Sequence, residues 1–307
     1  MFLNHRQRVI GLSTRRRIAF SALLVIAMLA GPLVSPLAQS PDEPPKLTPE
    51  TLHQWGAVTL FHGLPSDRVR AIAQDNEGTI WFGTDAGLAR YDGRGTQTII
   101  DPALPAGRVQ ALQLDQTGAL WIGTEGGAVR LLRGQFQLVR ETEGKSINAV
   151  LVPEPGRVVL AASEGVLFDL RVQGNEWTVR QTPAQPMLNS GSDKMEPVTF
   201  TSLAADRGNL IAGSRGRGLV TVSETGAKEV EEHPRESSVE TLERDAAGRL
   251  WMGTRTTIES GGLFDATDPQ HPQRVEGVKS NVNALRTDAA GRLWVGTEDE
   301  GVFQFRG

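Results

Sequence analysis

The chain has 307 residues, a formal net charge of −4, 34 glycines, six tryptophans against one tyrosine, and no cysteine. That length suits one or two domains with a sizeable core. The absence of cysteine excludes disulfides, thiolate metal sites, cysteine nucleophiles and a lipoprotein anchor.

Arg6, Arg8, Arg15, Arg16 and Arg17 form a basic stretch with no acid, and Ile18 to Ala30 is an uncharged apolar run. Gly31-Pro32 and Ser35-Pro36-Leu37-Ala38 follow. This is the order of an export signal, so residues 1–38 are expected to be cleaved off after Ala38. The run is short for a membrane span, and Pro32 and Pro36 interrupt its extension. Inner-membrane anchoring is the alternative. Either way, the remainder is expected to be periplasmic or secreted. Removing the five arginines takes the net charge from −4 to −9, which disfavours nucleic acid and anionic membrane surfaces as partners. Residues 39–54 carry prolines at 41, 44, 45 and 49 and read as an extended linker.

A repeat fills the rest of the chain. Asp75-Asn76-Glu77-Gly78-Thr79-Ile80-Trp81-Phe82-Gly83-Thr84 returns as Asp115 to Thr124, Asp245 to Thr254 and Asp288 to Thr297. Two degenerate copies place Val159 and Ile211 in the slot held by Trp81, Trp121, Trp251 and Trp294. The repeats lie near 63–101, 102–144, 145–182, 197–236, 237–277 and 278–307, with a polar insertion at Thr182–Pro197. Within the first unit, strands are expected at Val69–Ala73, Ile80–Phe82, Leu88–Tyr91 and Thr96–Ile100. A tight Asp75–Gly78 turn joins the first two, with glycine supplying positive φ. A lone four-stranded meander cannot bury both faces. Radial packing of copies does, with tryptophan filling the space between neighbours. Residues 55–307 are therefore expected to be an all-β propeller of four-stranded antiparallel blades, six in number.

The motif Val-x-Ala-Ile, then Asp-x-x-Gly-x-Ile/Leu-Trp-x-Gly-Thr, with the lead-in Gly63-Leu64-Pro65, resembles the two-component regulator propeller repeat. In that family the propeller is the periplasmic sensing part of bacterial hybrid histidine kinases. The resemblance implies a sensor in signal transduction, with glycans or their breakdown products as ligands. Six repeats depart from the paired seven-bladed propellers usual in such sensors. No kinase or DNA-binding motif follows, so the output is expected from a separate, membrane-bound signalling partner.

The last repeat stops after its third strand, while Ala57–Phe61 precedes the first repeat as a spare strand. That strand is expected to pair with Phe303–Arg306 and close the ring, removing an open sheet edge.

Catalytic chemistry is quiet. The five histidines form no metal-spaced pair. Asp75–Gly78 lacks the late acidic ligand of a calcium loop and recurs as a turn. Gly213-Ser214-Arg215-Gly216 is not a nucleophile elbow, because no helix pattern follows it. Neither an enzyme activity nor a cofactor or metal is expected. The loops between second and third strands and the connections into first strands should share one face. The candidate ligand-binding residues there are Arg68, Asp85, Arg108, Glu125, Asn148, Arg215, Arg217, Arg255 and Glu298, on a frame that repeats while its face varies. Arg215, Arg217 and Arg255 suit an anionic group. A small glycan-like or anionic ligand is the first reading. A protein–protein scaffold and a polysaccharide-active lyase or hydrolase are the alternatives.

Overall fold

In each regular repeat one aspartate sets the geometry of the first hairpin. Oδ1 of Asp75, Asp115, Asp245 and Asp288 accepts the backbone N–H groups two and four residues on, closing the turn. Oδ2 of the same carboxylate accepts the indole N–H of the tryptophan six residues on, at 2.9 Å in all four cases. A buried indole N–H needs an acceptor, which explains why the two residues recur together. Where Val159 replaces the ring, Pro153 stands at the aspartate position; where Ile211 does, the shorter hairpin puts Asp206 there, and its carboxylate takes Arg244 of blade 5 instead.

The computed structural model describes residues 60–183, 198–206, 208–223, 226–230, 238–256 and 261–305. The expected export signal and linker lie outside these. The described residues form a six-bladed β-propeller of antiparallel meanders. Blade 1 holds β1 (Val69–Gln74), β2 (Ile80–Thr84), β3 (Gly87–Tyr91) and β4 (Thr96–Ile99). Blade 2 holds β5 (Val109–Leu114), β6 (Leu120–Thr124), β7 (Gly127–Leu132) and β8 (Gln135–Val139). Blade 3 holds β9 (Ile147–Glu154), β10 (Arg157–Ala162), β11 (Val166–Gln173) and β12 (Glu176–Pro183). Blade 4 holds β13 (Phe200–Asp206), β14 (Asn209–Ser214), β15 (Gly218–Ser223) and β16 (Gly226–Glu229). Blade 5 holds β17 (Ser238–Arg244), β18 (Leu250–Arg255), β19 (Gly262–Asp265) and β20 (Gln273–Arg274). Blade 6 has three described strands, β21 (Val282–Thr287), β22 (Leu293–Thr297) and β23 (Val302–Phe305). The first strand of each blade packs on the first strand of the next, from β1 through β21, so these strands surround the axis.

The hydrophobic core lies between blades. Trp81 packs with Val109, Leu120 and Ile122 of blade 2. Trp121 packs with Ile147, Val158 and Leu160 of blade 3, and Trp251 with Val282, Leu293 and Val295 of blade 6. Aliphatic side chains do the same work at the other two junctions, where Val159 meets Phe200 and Ile211 meets Val239. The glycine after the tryptophan pair admits the neighbour. A Cβ on Gly83 would lie 2.7 Å from Val109 Cγ1, and one on Gly253 would lie 2.6 Å from Val282 Cγ1. In five of the six blades a hydroxyl at the end of the second strand turns back onto the loop: Thr84, Thr124, Ser214, Thr254 and Thr297 donate to the carbonyls of Gly87, Gly127, Gly218, Gly262 and Gly301.

Four expectations need correction. Leu60 and Phe61 belong to a one-turn 3-10 helix, Leu60–His62, rather than to a closing strand. The turn matches the one that follows β4, where Leu104 N–H bonds Asp101 as Gly63 N–H bonds Leu60. The rest of the expected strand, 57–59, lies outside the described residues. Ile100 ends beyond β4 and is 93% exposed. Trp294 is half-buried, whereas Trp81, Trp121 and Trp251 are 8%, 0% and 2% exposed. Thr182 and Pro183 finish β12, and the remainder of the expected insertion lies outside the described residues.

Candidate ligand-binding face

Each first strand breaks register after its first or second residue. The bulged residues are Arg70, Gln110, Asn148, Thr201, Glu240 and Asn283, one per blade. A bulge turns its residue out of the pleat, and all six are polar between an apolar residue and a small one. The bulges lie at the end of the first strand that pairs with the end of the second, as Val69 pairs with Thr84. They therefore share one mouth of the propeller with the loops between second and third strands.

The expected site residues gather at that mouth, and most are engaged there. Asp85 accepts from Arg70 at 2.7 Å and from Arg108 of blade 2 at 3.0 Å, with Arg68 3.7 Å away. Arg108 continues to Glu125 at 3.0 Å. The hydrogen bond from Arg70 holds the Asp85 carboxyl below its ordinary range, aided by the charges of Arg70 and Arg108 and opposed by desolvation. Gln110 donates to Ser146 Oγ of blade 3 at 2.7 Å, and Asn148 donates to the Phe200 carbonyl of blade 4 at 3.0 Å. The Thr201 hydroxyl donates to the Val239 carbonyl of blade 5. On the far side, Arg255 of blade 5 and Asn281 both donate to Glu298. The Asn281 bond, then the Arg255 bond, keeps the Glu298 carboxyl low.

These contacts form a polar collar that stitches blade to blade. Asp85, Glu125 and Glu298 are ion-paired acceptors. Arg255 is committed to Glu298, so it does not stand free beside Arg215 and Arg217 in the blade 4 loop. Arg215 is exposed and is held by its backbone N–H on the Thr199 carbonyl. Sequence reasoning named Asn148 but passed over Arg70, Gln110, Thr201 and Glu240. The signal available was the repeated apolar-polar-small triplet opening each first strand: Val69-Arg70-Ala71, Val109-Gln110-Ala111, Ile147-Asn148-Ala149, Phe200-Thr201-Ser202, Val239-Glu240-Thr241 and Val282-Asn283-Ala284. Glu240 and Asn283, in adjacent blades 5 and 6, are the bulge residues with no hydrogen bond or ion pair among the described residues. No group of three or more potential metal ligands occurs among the described residues. No helix among them is long and apolar enough to cross a membrane.

The two component regulator propeller model matches residues 63–86, 103–126 and 277–299, in blades 1, 2 and 6. No curated protein shows a significant match. Among solved structures, the extracellular domain assigned to a hybrid two component system of B. thetaiotaomicron is similar at a TM-score of 0.64 and 18% identity. That likeness covers 81% of this chain and 35% of the other. An ancestral GH74 enzyme is similar at 0.59 and 14% identity, covering 77% of this chain and 36% of the other. PorZ, a surface component of the type-IX secretion system of Porphyromonas gingivalis, is similar at 0.54 and 15% identity, covering 76% and 38%. The chain thus spans about a third of the length of these structures, and identities this low establish the shared fold alone.

Proposed function

We propose, for a chain whose repeats are those of the two component regulator propeller family, that it is an exported, non-catalytic, ligand-binding sensor propeller acting with a separate membrane-bound output protein. The observation that carries this reading is the collar. Four of its six bulge residues are satisfied within the protein, while Glu240 and Asn283 present a carboxylate and an amide that bond no other described residue. Polar groups set on a rigid frame suit recognition of a small polar molecule. A carboxylate beside an amide accepts from and donates to the hydroxyls of a glycan-like ligand. Exposed Arg215 in the neighbouring blade suits an anionic substituent on it.

A polysaccharide-active lyase or hydrolase is less well supported. A glycosidase needs a carboxyl kept protonated opposite an ionised one. Asp85 and Glu298 at this mouth are both held low by arginine or amide donors, which suits a fixed acceptor. A thermal-shift panel of neutral and acidic oligosaccharides, with product release followed in parallel, tests the reading. A ligand-dependent rise in Tm with no cleavage agrees with it. Turnover of any panel member would replace it with the enzyme reading, and a panel without any shift would favour the scaffold.

A further inference from the structure

One position of the repeat departs from its neighbours where blade 5 meets blade 6. It lies on the first strand, opposite the tryptophan slot, and holds Ala73, Gln113, Leu151, Ala204, Glu243 and Arg286 in chain order. Only blades 5 and 6 carry a charge there, and the two charges are opposite and adjacent. They form no ion pair among the described residues. Glu243 accepts the Thr287 N–H of blade 6 at 2.8 Å instead, and Arg286 is exposed beside it.

Glu243 is half-buried. Desolvation raises its pKa, opposed by the Thr287 N–H bond and the charge of Arg286. The Thr287 hydroxyl oxygen is buried and has no hydrogen-bond partner among the described residues. The remaining charges nearby are already paired. Asp245, which also pushes the Glu243 pKa up, bonds Arg249. Arg244 bonds Asp206 of blade 4, and Asp288 bonds Arg292. Arg286 is therefore the cation left for an ionised Glu243 among the described residues.

The seam between these blades is held differently at its two ends. At the mouth, Asn281 Oδ1 accepts the Thr256 and Gly261 N–H groups of blade 5 at 3.2 and 2.8 Å, and Arg255 bonds Glu298. In the middle, Trp251 packs with Val282, Leu285 and Leu293. At the far end, the Glu243–Thr287 bond is the polar tie among the described residues. Glu240 and Asn283 stand on the same two strands, β17 and β21. They lie about 10–13 Å along the chain from Glu243 and Thr287, at about 3.3 Å per residue.

We propose that the Glu243 carboxyl is a proton-operated latch on the seam between blades 5 and 6. Protonated, it stays in the seam, taking the Thr287 N–H on one oxygen and giving its own O–H to the Thr287 hydroxyl. Ionised, with its proton released to solvent, it swings out to the exposed Arg286 guanidinium, where water solvates both charges. Thr287 N–H then loses its acceptor, and β21 is released to shift against β17. The latch is closed below the folded pKa and opens as pH rises through it. Packed strands transmit such a shift rather than absorb it, so the spacing of Glu240 and Asn283 follows the latch. The consequence for ligand binding rests on the sensor reading above, whereas the latch does not.

A pH series of NMR spectra of the full chain without ligand tests the proposal. The Thr287 amide should shift along one titration with its midpoint above that of an ordinary glutamate. The Asn283 side-chain amide should shift with the same midpoint. Both steps should vanish in Glu243→Gln. Arg286→Gln, at an exposed position that leaves the core intact, should move the midpoint further up. A Thr287 amide that does not titrate, or a midpoint unmoved by Arg286→Gln, overturns the latch. A Thr287 step without an Asn283 step overturns its coupling to the mouth. With no ligand present, these outcomes are separate from a failure of the sensor reading, which the oligosaccharide panel reports.

Discussion

Breaking the aspartate–tryptophan clasp of blade 2 gives the sharpest test of how the repeat is held together. Trp121 is fully buried, and its indole N–H donates to Asp115 Oδ2 at 2.9 Å. The other oxygen takes the N–H groups of Thr117 and Ala119 and the Thr117 hydroxyl. Trp121→Phe keeps a ring beneath the Arg130 guanidinium, which lies 5.6 Å from the indole centroid, but removes the donor. A hydrogen bond to a charged group is worth about 1.5–3 kcal/mol, so a loss of about 2 kcal/mol is expected. Asp115→Ala strands the indole N–H and opens the turn, and stranding a buried donor alone costs about 1–3 kcal/mol. Its total should be about 3 kcal/mol. The double variant should fall short of the summed losses by about 1.5 kcal/mol, the coupling expected of groups in contact. Urea unfolding of the four proteins measures it. A coupling below about 0.5 kcal/mol would show that the aspartate serves the turn and not the ring.

Other consequences concern packing and pH. Gly253→Ala drives a methyl into Val282 and Thr241 and should cost about 1–3 kcal/mol, the range for overpacking, by the same unfolding assay. Asp288 is held at about 2, chiefly by the Trp294 hydrogen bond, and Asp115 and Asp245 are also low because their hydrogen bonds outweigh desolvation. Carboxylates depressed in the folded state contribute fully above their unfolded pKa of about 4 and lose that contribution as pH falls through the folded value. Denaturation midpoints should therefore drop between about pH 4 and pH 2, and Trp294→Phe should raise the Asp288 titration seen by NMR. Glu243 behaves oppositely. Desolvation raises its pKa, although it accepts the Thr287 N–H of blade 6 at 2.8 Å. A raised carboxyl favours the fold below its unfolded pKa, and that contribution is lost as pH rises through the folded value. Glu243→Gln should accordingly raise Tm at pH 7 and change it little at pH 4.

Much of the frame was legible because the repeat states its own punctuation. Asp75 to Thr84 fixed a turn, a second strand and its buried ring, and the same letters recurred at 115, 245 and 288. The degenerate units at 159 and 211 were still recognisable because glycine and alternating aliphatic residues survived. The clasp itself was not legible. It depends on the side-chain reach of an aspartate across six residues, which spacing alone does not express. At the mouth, sequence located Asp85, Arg108 and Glu298 on one face, but their charges suggested an open site where the fold uses them to join blades. Arg70, Gln110, Thr201 and Glu240 escaped notice because a register break leaves no special residue type behind. Trp294 looked equivalent to the other three rings, and its partial exposure follows from what lies beside blade 6, a property no single repeat encodes.

The most direct test of the sensor reading is calorimetric titration of an oligosaccharide that raises Tm in the panel. It should compare the wild type with a Glu240→Ala/Asn283→Ala variant. Neither side chain bonds another described residue, so the variant should fold with an unchanged Tm and bind at least tenfold more weakly, equivalent to about 1.4 kcal/mol. Unchanged affinity in the variant would contradict the assignment of the collar as the binding site.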